Sequence, residues 1–138
     1  FINLSNQSNS CSLYVERLSI RCSNDSVECG TLSGGNQQKI VLAKWLVRDC
    51  PVIILDEPTR GIDVGTKFEM YKLINELTQA GKAVILISSD LPELISMSDR
   101  IYVMHLGDFV AEVDSRKTSQ EAVMHFAFGY FEGATHGP

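Results

Sequence analysis

Two apolar runs separated by a helix-length segment constrain the fold of this chain most strongly. The runs VIIL, residues 52–55, and AVILI, residues 83–87, are apolar at every position, which is typical of parallel strands covered on both faces. Between them, about 64–79 predicts a helix whose apolar stripe is made by Val64, Phe68, Tyr71, Ile74 and Leu77. Asp63 can cap its start and Gly81 its end. The whole segment therefore predicts a β-α-β unit with a right-handed crossover.

The spacing of apolar residues predicts the other elements of an α/β fold with a mostly parallel sheet and flanking helices. They are a short helix over 12–20, a helix over 35–48, a short helix over 91–98, a strand over 101–104, a strand over 109–113 and a terminal helix over 118–128. Residues 1–12 begin with a Ser/Asn-rich stretch and are expected to form a flexible tail. We expect the folded domain to span 13–130 and a second tail to span 131–138.

Charge and composition exclude several classes of function. The formal net charge is −5 with no basic run, which argues against a nucleic-acid-binding surface. No apolar run approaches the ~20 residues of a membrane span, and no basic segment opens a secretory signal. The four cysteines have no C-x-x-C spacing and the three histidines stand apart, so we expect reduced thiols rather than a metal or disulfide role. These features favour a soluble, cytosolic chain.

Asp56 and Glu57 follow the first predicted strand directly. In open α/β sheets, ligands bind outside the carboxyl ends of the strands. Adjacent carboxylates project to different sides of a strand, so one can serve a cation while the other faces a nucleophile. That arrangement suits Mg²⁺-dependent phosphoryl transfer, in which one carboxylate holds the metal and the other orients or deprotonates water. A plain solvated turn, fixed by Pro58, is the alternative interpretation.

Ser33, Gly34 and Gly35 lie where a polar loop enters the helix predicted over 35–48. Unsatisfied N–H groups and the positive end of the helix dipole attract phosphate at such a position, and glycine lets an anion approach closely. Taken alone, Ser-Gly-Gly is more often an ordinary helix start. The combination with the two carboxylates favours an anion site.

The order and spacing of these motifs resemble ABC-type ATPases. LSGGNQQ, residues 32–38, resembles the signature motif; VIILDEP, residues 52–58, resembles Walker B; and Gly61-Ile62-Asp63 looks like the D-loop. Together with ISSDLPE at 87–93, these motifs are similar in sequence to the second cassette of the tandem ATPase subunits of bacterial monosaccharide importers, of the ribose, galactoside and xylose type. The resemblance covers about 14–129.

The resemblance implies a role for each site residue. Ser33, Gly34 and Gly35 would contact the γ-phosphate of ATP held by an opposite cassette, Asn36 would belong to the same nucleotide-binding set, and Asp63 would reach across the same interface. Asp56 would hold Mg²⁺ through water, and Glu57 would be the general base for the attacking water. Two positions depart from ABC proteins at large. Asn36 replaces the common Gln, and Ser89 stands where most members carry a switch His, so Ser89 could bond a phosphate oxygen but not supply positive charge.

The phosphate loop G-x-x-x-x-G-K-[ST] does not occur in the 138 residues. By the resemblance, we expect the C-terminal half of a cassette, a partial P-loop NTPase fold without the phosphate-loop strand, which lies between the strands corresponding to 83–87 and 101–104. Such a chain is not expected to bind or hydrolyse ATP alone. The resemblance further implies a second cassette, transmembrane permease subunits and, indirectly, a periplasmic or extracellular sugar-binding protein as partners, at the inner face of the cell membrane.

Two other interpretations remain open at this point. A soluble ABC ATPase acting on nucleic acid or ribosomes would tend to show an Asn-His-Leu-Asp D-loop or long coiled coils, whereas this chain has Arg60-Gly61-Ile62-Asp63, no heptads and an acidic balance. A non-catalytic regulatory or interaction piece of an ABC protein is favoured by the missing phosphate loop and by Ser89. The sequence does not indicate which sugar is carried or the oligomeric state.

Overall fold

The structure is a computed structural model that describes residues 4–24 and 26–130. The chain divides after Ile85 into two compact units. The predicted tail over 131–138 lies outside the described residues. In the described part of the chain, no helix is both long enough and apolar enough to cross a membrane.

The first unit contains the predicted β-α-β arrangement. Its elements are α1 Leu4–Arg17, a 3₁₀ turn Cys29–Thr31, α2 Gly34–Leu46, β1 Val52–Asp56, α3 Val64–Gln79 and β2 Ala83–Ile87, whose last residues pass into the second unit. β1 and β2 pair in a two-stranded parallel sheet, with α3 as the crossover. The α/β class and the β-α-β unit are therefore confirmed.

Both ends of α3 have the predicted caps. Asp63 is the N-cap, and its side chain accepts a hydrogen bond from the N–H of Thr66. At the other end, Gly81 has φ +83°, and Lys82 N–H donates to Leu77 O at 3.1 Å, as in a Schellman motif. The local sequence therefore determines where this helix begins and ends.

The buried face of α3 differs from the predicted stripe. Val64 is 85% exposed and Phe68 60% exposed, whereas the buried residues of the helix are Met70, Leu73, Ile74 and Leu77. Consecutive residues are about 100° apart around a helix, so the prediction combined two neighbouring faces. The stripe is wrong in its N-terminal half and correct at Ile74 and Leu77.

One face of β1 is exposed, contrary to the coverage predicted for both. Ile53 and Leu55 are buried, but Val52 is 51% exposed and Ile54 64% exposed. An apolar run shows that both faces can be buried, but it does not show what covers them. Among the described residues, only the face of Ile53 and Leu55 is covered.

Helix α1 begins at Leu4, within the segment for which the sequence predicts a tail, and ends at Arg17, before the predicted helix does. No glycine or proline interrupts this stretch, so nothing local breaks the helix. It ends where Ser19 adopts φ +49° and the next residue, Ile20, donates its N–H to Val15 O at 2.8 Å.

The second unit is a β-hairpin with helices packed on it. Its elements are α4 Leu91–Met97, β3 Arg100–His105, β4 Asp108–Asp114, a 3₁₀ turn Ser115–Lys117 and α5 Gln120–Ala127. β3 and β4 are antiparallel, with Ile101 opposite Val113. In the turn, Leu106 and Gly107 both have positive φ, as a type I′ hairpin requires. The core of this unit is formed by Ile101, Val103 and Val123, with Leu91, Leu94 and Phe126 among the side chains packed against it.

Candidate functional site

The two carboxylates predicted for catalysis lie at the end of β1. Asp56 is the last residue of the strand and is exposed, and Glu57 is half-buried. Glu57 has φ +46°, a left-handed conformation that is uncommon for residues with a side chain and that concentrates at functional sites. Arg60 N–H donates to Glu57 O at 3.2 Å, and Pro58 and Thr59 are buried. The turn that carries Glu57 is therefore fixed by a backbone hydrogen bond and by the burial of the two residues that follow it.

The predicted anion-binding residues lie in the first turn of α2. Ser33 is its N-cap. The Ser33 hydroxyl oxygen accepts a hydrogen bond from the backbone N–H of Asn36 at 3.5 Å and another from the side-chain NH₂ of Asn36 at 3.0 Å. Asn36 in turn accepts a hydrogen bond from the backbone N–H of Arg21 at 3.0 Å. Ser33 and Gly34 are exposed, so the helix start faces solvent with N–H groups that have no intrahelical acceptor.

Gly35 is buried because the start of α2 lies against the start of α3. A Cβ atom at this position would lie 2.6 Å from the Cγ2 of Thr66 and 3.1 Å from its Oγ1. Any larger residue would displace Thr66 or move the helix. The absence of a side chain at Gly35 is thus required by contact within this chain, in addition to any approach by an anion.

Asp63 is held by the same threonine. Its two carboxylate oxygens accept hydrogen bonds from the Thr66 N–H at 3.0 Å and from the Thr66 hydroxyl at 2.7 Å. The hydroxyl bond is the main reason that the pKa of Asp63 lies below its ordinary value of 3.8, and the N–H bond is the next. Asp63 therefore stays ionised and oriented on the exposed surface of the first unit.

Sequence reasoning missed Lys39. It is 5% exposed, its Nζ lies 2.5 Å from Glu69 Oε2, and it donates to Ser19 O at 3.2 Å. The signal was its position: it lies at helical spacing with the other buried residues of α2, which are Gly35, Leu42 and Leu46. A charged residue on a buried helix face needs a partner, and Glu69 supplies it.

Ser89 lies between β2 and α4, in the second unit, and is exposed. The next residue, Asp90, is the N-cap of α4 and accepts a hydrogen bond from Glu93 N–H at 3.0 Å. The other predicted site residues all lie in the first unit. Within it, the structure brings Gly35 and Asp63 together through Thr66.

The single exposed carboxylate at the end of β1 suits magnesium better than it suits a metal ion whose ligands all come from the protein. Among residues 4–24 and 26–130, no group of three or more His, Cys, Asp or Glu side chains could hold a metal ion. Mg²⁺ keeps several waters and commonly uses one or two carboxylates together with phosphate oxygens. A single exposed carboxylate such as Asp56 fits that coordination.

Comparison with known proteins gives a consistent result. A family described as "ABC transporter" matches residues 5–60. The ribose import ATP-binding protein RbsA of Oceanobacillus iheyensis is 49% identical over 129 residues, which are 94% of this chain and 26% of that protein. The protein of the same name from Bacillus subtilis is 50% identical over 85% of this chain and 24% of its own length. The chain thus spans about a quarter of these curated relatives.

Solved structures agree on the fold. A dimeric ATP-binding cassette in a post-hydrolysis state, bound to ADP and Pi, matches with a TM-score of 0.74 at 21% identity over 86% of this chain and 51% of that one. An inward-facing metal-chelate type ABC transporter matches with a TM-score of 0.75 at 19% identity, over 90% of this chain and 49% of that one. At such identities the likeness establishes a P-loop NTPase fold of the cassette type, and nothing about substrate.

Proposed function

Because the chain belongs to the ABC transporter family, we propose that it is part of an ATP-binding subunit of a sugar importer, which hydrolyses ATP to drive sugar uptake. The observation that carries this proposal is the 49% identity to a ribose import ATP-binding protein over 94% of the chain. By the same relatives we propose a monosaccharide of the ribose class as the cargo.

We assign the chemistry at the end of β1 to its two carboxylates. Asp56, exposed at the last position of the strand, would hold Mg²⁺ through water, and the metal would neutralise charge on the transferring phosphoryl group. Glu57 would accept the proton of the attacking water. The left-handed backbone at Glu57 supports this role, since it turns the chain directly after the strand.

We assign the recognition of ATP across an interface to the start of α2. Ser33, Gly34, Gly35 and Asn36 would meet the γ-phosphate of a nucleotide held by a second cassette, where helix N-terminal N–H groups favour an anion. Asp63 would contribute to the same interface from the start of α3. Ser89 would bond a phosphate oxygen without adding positive charge.

The proposed partners are a second ABC cassette and transmembrane permease subunits, with a periplasmic or extracellular sugar-binding protein acting indirectly. The subunit would work at the inner face of the cell membrane. A polypeptide of these 138 residues contains no phosphate-loop motif, so we propose that by itself it neither binds ATP in the ordinary way nor hydrolyses it. Equilibrium dialysis of the chain with MgATP tests this directly.

The role of Glu57 is the sharpest test of the proposed function. In the intact subunit that carries this sequence, assembled with its membrane partners, Glu57→Gln keeps the size of the side chain but removes the base. Hydrolysis at this site should fall by at least about 10² while ATP still binds, which is within the range of a lost general base. The matched control is Glu76→Gln, an exposed position on α3. Unchanged turnover by Glu57→Gln, in a subunit whose other site is disabled, would contradict the assignment.

A further inference from the structure

We propose that Thr66 is a positioning residue that transmits the placement of Asp63 to Gly35, so that the loop before α3 sets the position of the start of α2. Only the expected effect on ATP hydrolysis rests on the proposed function. The linkage itself rests on contacts within the first unit. Thr66 was not among the residues that the sequence pattern singled out.

The side chain of Thr66 has one contact on each side. Its hydroxyl donates to one oxygen of Asp63 at 2.7 Å, and its backbone N–H donates to the other at 3.0 Å. Its methyl carbon, Cγ2, faces Gly35 so closely that a Cβ there would lie only 2.6 Å away. The start of α2 and the start of α3, both of which carry predicted site residues, therefore touch at the half-buried side chain of Thr66.

The hydrogen bond to Asp63 determines which atom of Thr66 lies nearest to Gly35. In helices, threonine divides between two χ1 rotamers because its hydroxyl can bond a carbonyl of the preceding turn. At Thr66 that turn does not exist, since α3 begins at Val64, and the carboxylate of Asp63 takes its place. Asp63 thus holds the rotamer that presents the methyl group to Gly35. If Asp63 moves at an interface, Thr66 and the backbone at Gly35 must move with it.

An ordinary N-cap would not couple the start of its own helix to the start of another helix. Ser119 caps α5 by accepting the N–H of Ala122 at 3.3 Å, and Asp90 caps α4 in the same manner. In neither case is the capped residue pressed against a buried glycine of another helix, whereas Gly35 is buried against Thr66. The linkage is therefore specific to the starts of α2 and α3.

The experiment separates the two contacts of Thr66. Thr66→Val keeps the methyl group and replaces the hydroxyl with a second methyl, whereas Thr66→Ser keeps the hydroxyl and removes the methyl. Thr78→Val is the matched control, because the Thr78 hydroxyl also makes one hydrogen bond on α3, to Asn75 O at 2.9 Å, at an exposed position. The first readout is the backbone amide shift of Gly35 in the ¹H–¹⁵N spectrum of the intact subunit that carries this sequence. The second is steady-state ATP hydrolysis by the intact subunit.

We expect Thr66→Val to move the Gly35 amide resonance and to lower kcat about tenfold with little change in KM for ATP, as for one lost positioning hydrogen bond to a charged group. Thr66→Ser should keep the Asp63 bond and raise the thermal stability of a Gly35→Ala variant, since it removes Cγ2, the Thr66 atom that the new Cβ would approach most closely, at 2.6 Å. Thr78→Val should do none of these.

An unmoved Gly35 resonance in Thr66→Val, or equal effects of Thr66→Val and Thr78→Val on kcat, would overturn the proposal. So would a Gly35→Ala variant that is no more stable with Thr66→Ser than without it. If the intact wild-type subunit hydrolyses no ATP, the proposed function fails, and the amide shift and the Gly35→Ala stability still decide whether Thr66 links the starts of α2 and α3.

Discussion

The ammonium group of Lys39, on α2, lies 2.5 Å from Oε2 of Glu69, on α3, and the two side chains differ greatly in exposure. The side chain of Lys39 is 7% exposed and that of Glu69 is 47% exposed. The second hydrogen bond of Lys39, to Ser19 O, connects α2 to the end of α1. A buried cation thus joins three segments of the first unit, while its counter-ion remains partly in water.

This asymmetry predicts unequal costs for removing the two partners. Glu69→Gln leaves the buried ammonium without its counter-ion, and the free energy of unfolding should fall by about 1–3 kcal/mol. Lys39→Met replaces the buried charge with an apolar chain and leaves a carboxylate that water can solvate, so its cost should be smaller. Urea unfolding of the intact subunit that carries this sequence measures both.

Asp99→Asn is the control for this comparison. Asp99 pairs with Arg116 at 3.6 Å, with side chains 94% and 83% exposed, and an exposed pair of that kind contributes little. A loss of stability in Lys39→Met that equals or exceeds that in Glu69→Gln would refute the prediction, because it would mean that the ammonium is adequately solvated without Glu69.

The lowered pKa of Asp63 predicts a pH dependence of stability. A carboxyl whose pKa is depressed by folding contributes stability above its unfolded pKa, and that contribution is lost as the pH falls through the folded pKa. For Asp63 the loss begins near its ordinary value of 3.8 and extends below it, since the hydroxyl and N–H of Thr66 favour the ionised form. Asp49, Asp114 and Glu121 also have lowered pKa values, so several groups contribute to acid unfolding.

The contribution of Asp63 can be isolated by substitution. Thermal unfolding of Asp63→Asn and of the wild-type chain, followed from neutral pH to about pH 2, should show a shallower decline below about pH 4 in the variant. Thr66→Val should reduce the slope in part, because it removes the bond that depresses the pKa most. Identical slopes in all three chains would argue that Asp63 is not held as the structure describes.

Much of the backbone was predictable because its signals are local. The bounds of α3 follow from an N-capping aspartate and a C-terminal glycine, and the apolar runs at 101–104 and 109–113 predicted the two strands that form the hairpin. The orientation of the elements was less accessible. The apolar side chains of α3 cover more than one face, and only packing decides which face is buried.

The site was predictable as a list of residues but not as a set of contacts. Motif spacing indicated Ser33, Gly35 and Asp63, but it assigned them to a partner's nucleotide and was silent on their contacts within the chain. Thr66 and Lys39 were missed for one reason. The importance of each residue depends on its contact with a residue of another helix. A contact between residues far apart in the chain produces no periodic pattern in a single sequence.

The exposed helix start predicts a specific effect at Ser33. In the intact subunit, Ser33→Arg should leave nucleotide binding by its own cassette unchanged but prevent closure on the facing one, because a long cation would occupy the interface. Ser33→Ala is the control, since it also removes the cap, a loss of about 0.5–2 kcal/mol in stability, without adding bulk. Trapping of a closed, ATP-bound pair at wild-type levels by Ser33→Arg would rule out this role.

The two sheets predict how a polypeptide of these 138 residues behaves in isolation. Among the described residues, β2 pairs with β1 alone and β3 with β4 alone, so each strand has an edge with no described partner. The strands of the first unit also expose apolar side chains, with Ile54 64% and Ile85 50% exposed. Unpaired edges beside exposed apolar residues invite pairing with other chains, so we expect self-association or marginal stability.

Adjacent positions on β1 provide the test. Ile54→Lys places a charge on the exposed face and should lower the association seen by sedimentation velocity while leaving the unfolding midpoint nearly unchanged. Ile53→Lys places the same charge where the wild-type side chain is 5% exposed, and it should unfold the first unit, since a buried unpaired charge costs several kcal/mol, comparable to the ~5–15 kcal/mol stability of a domain. A wild-type chain that remains monomeric and unfolds cooperatively with more than about 8 kcal/mol would contradict the expectation. In that case the exposed face of β1 at Ile54 would need no cover from another element or another chain.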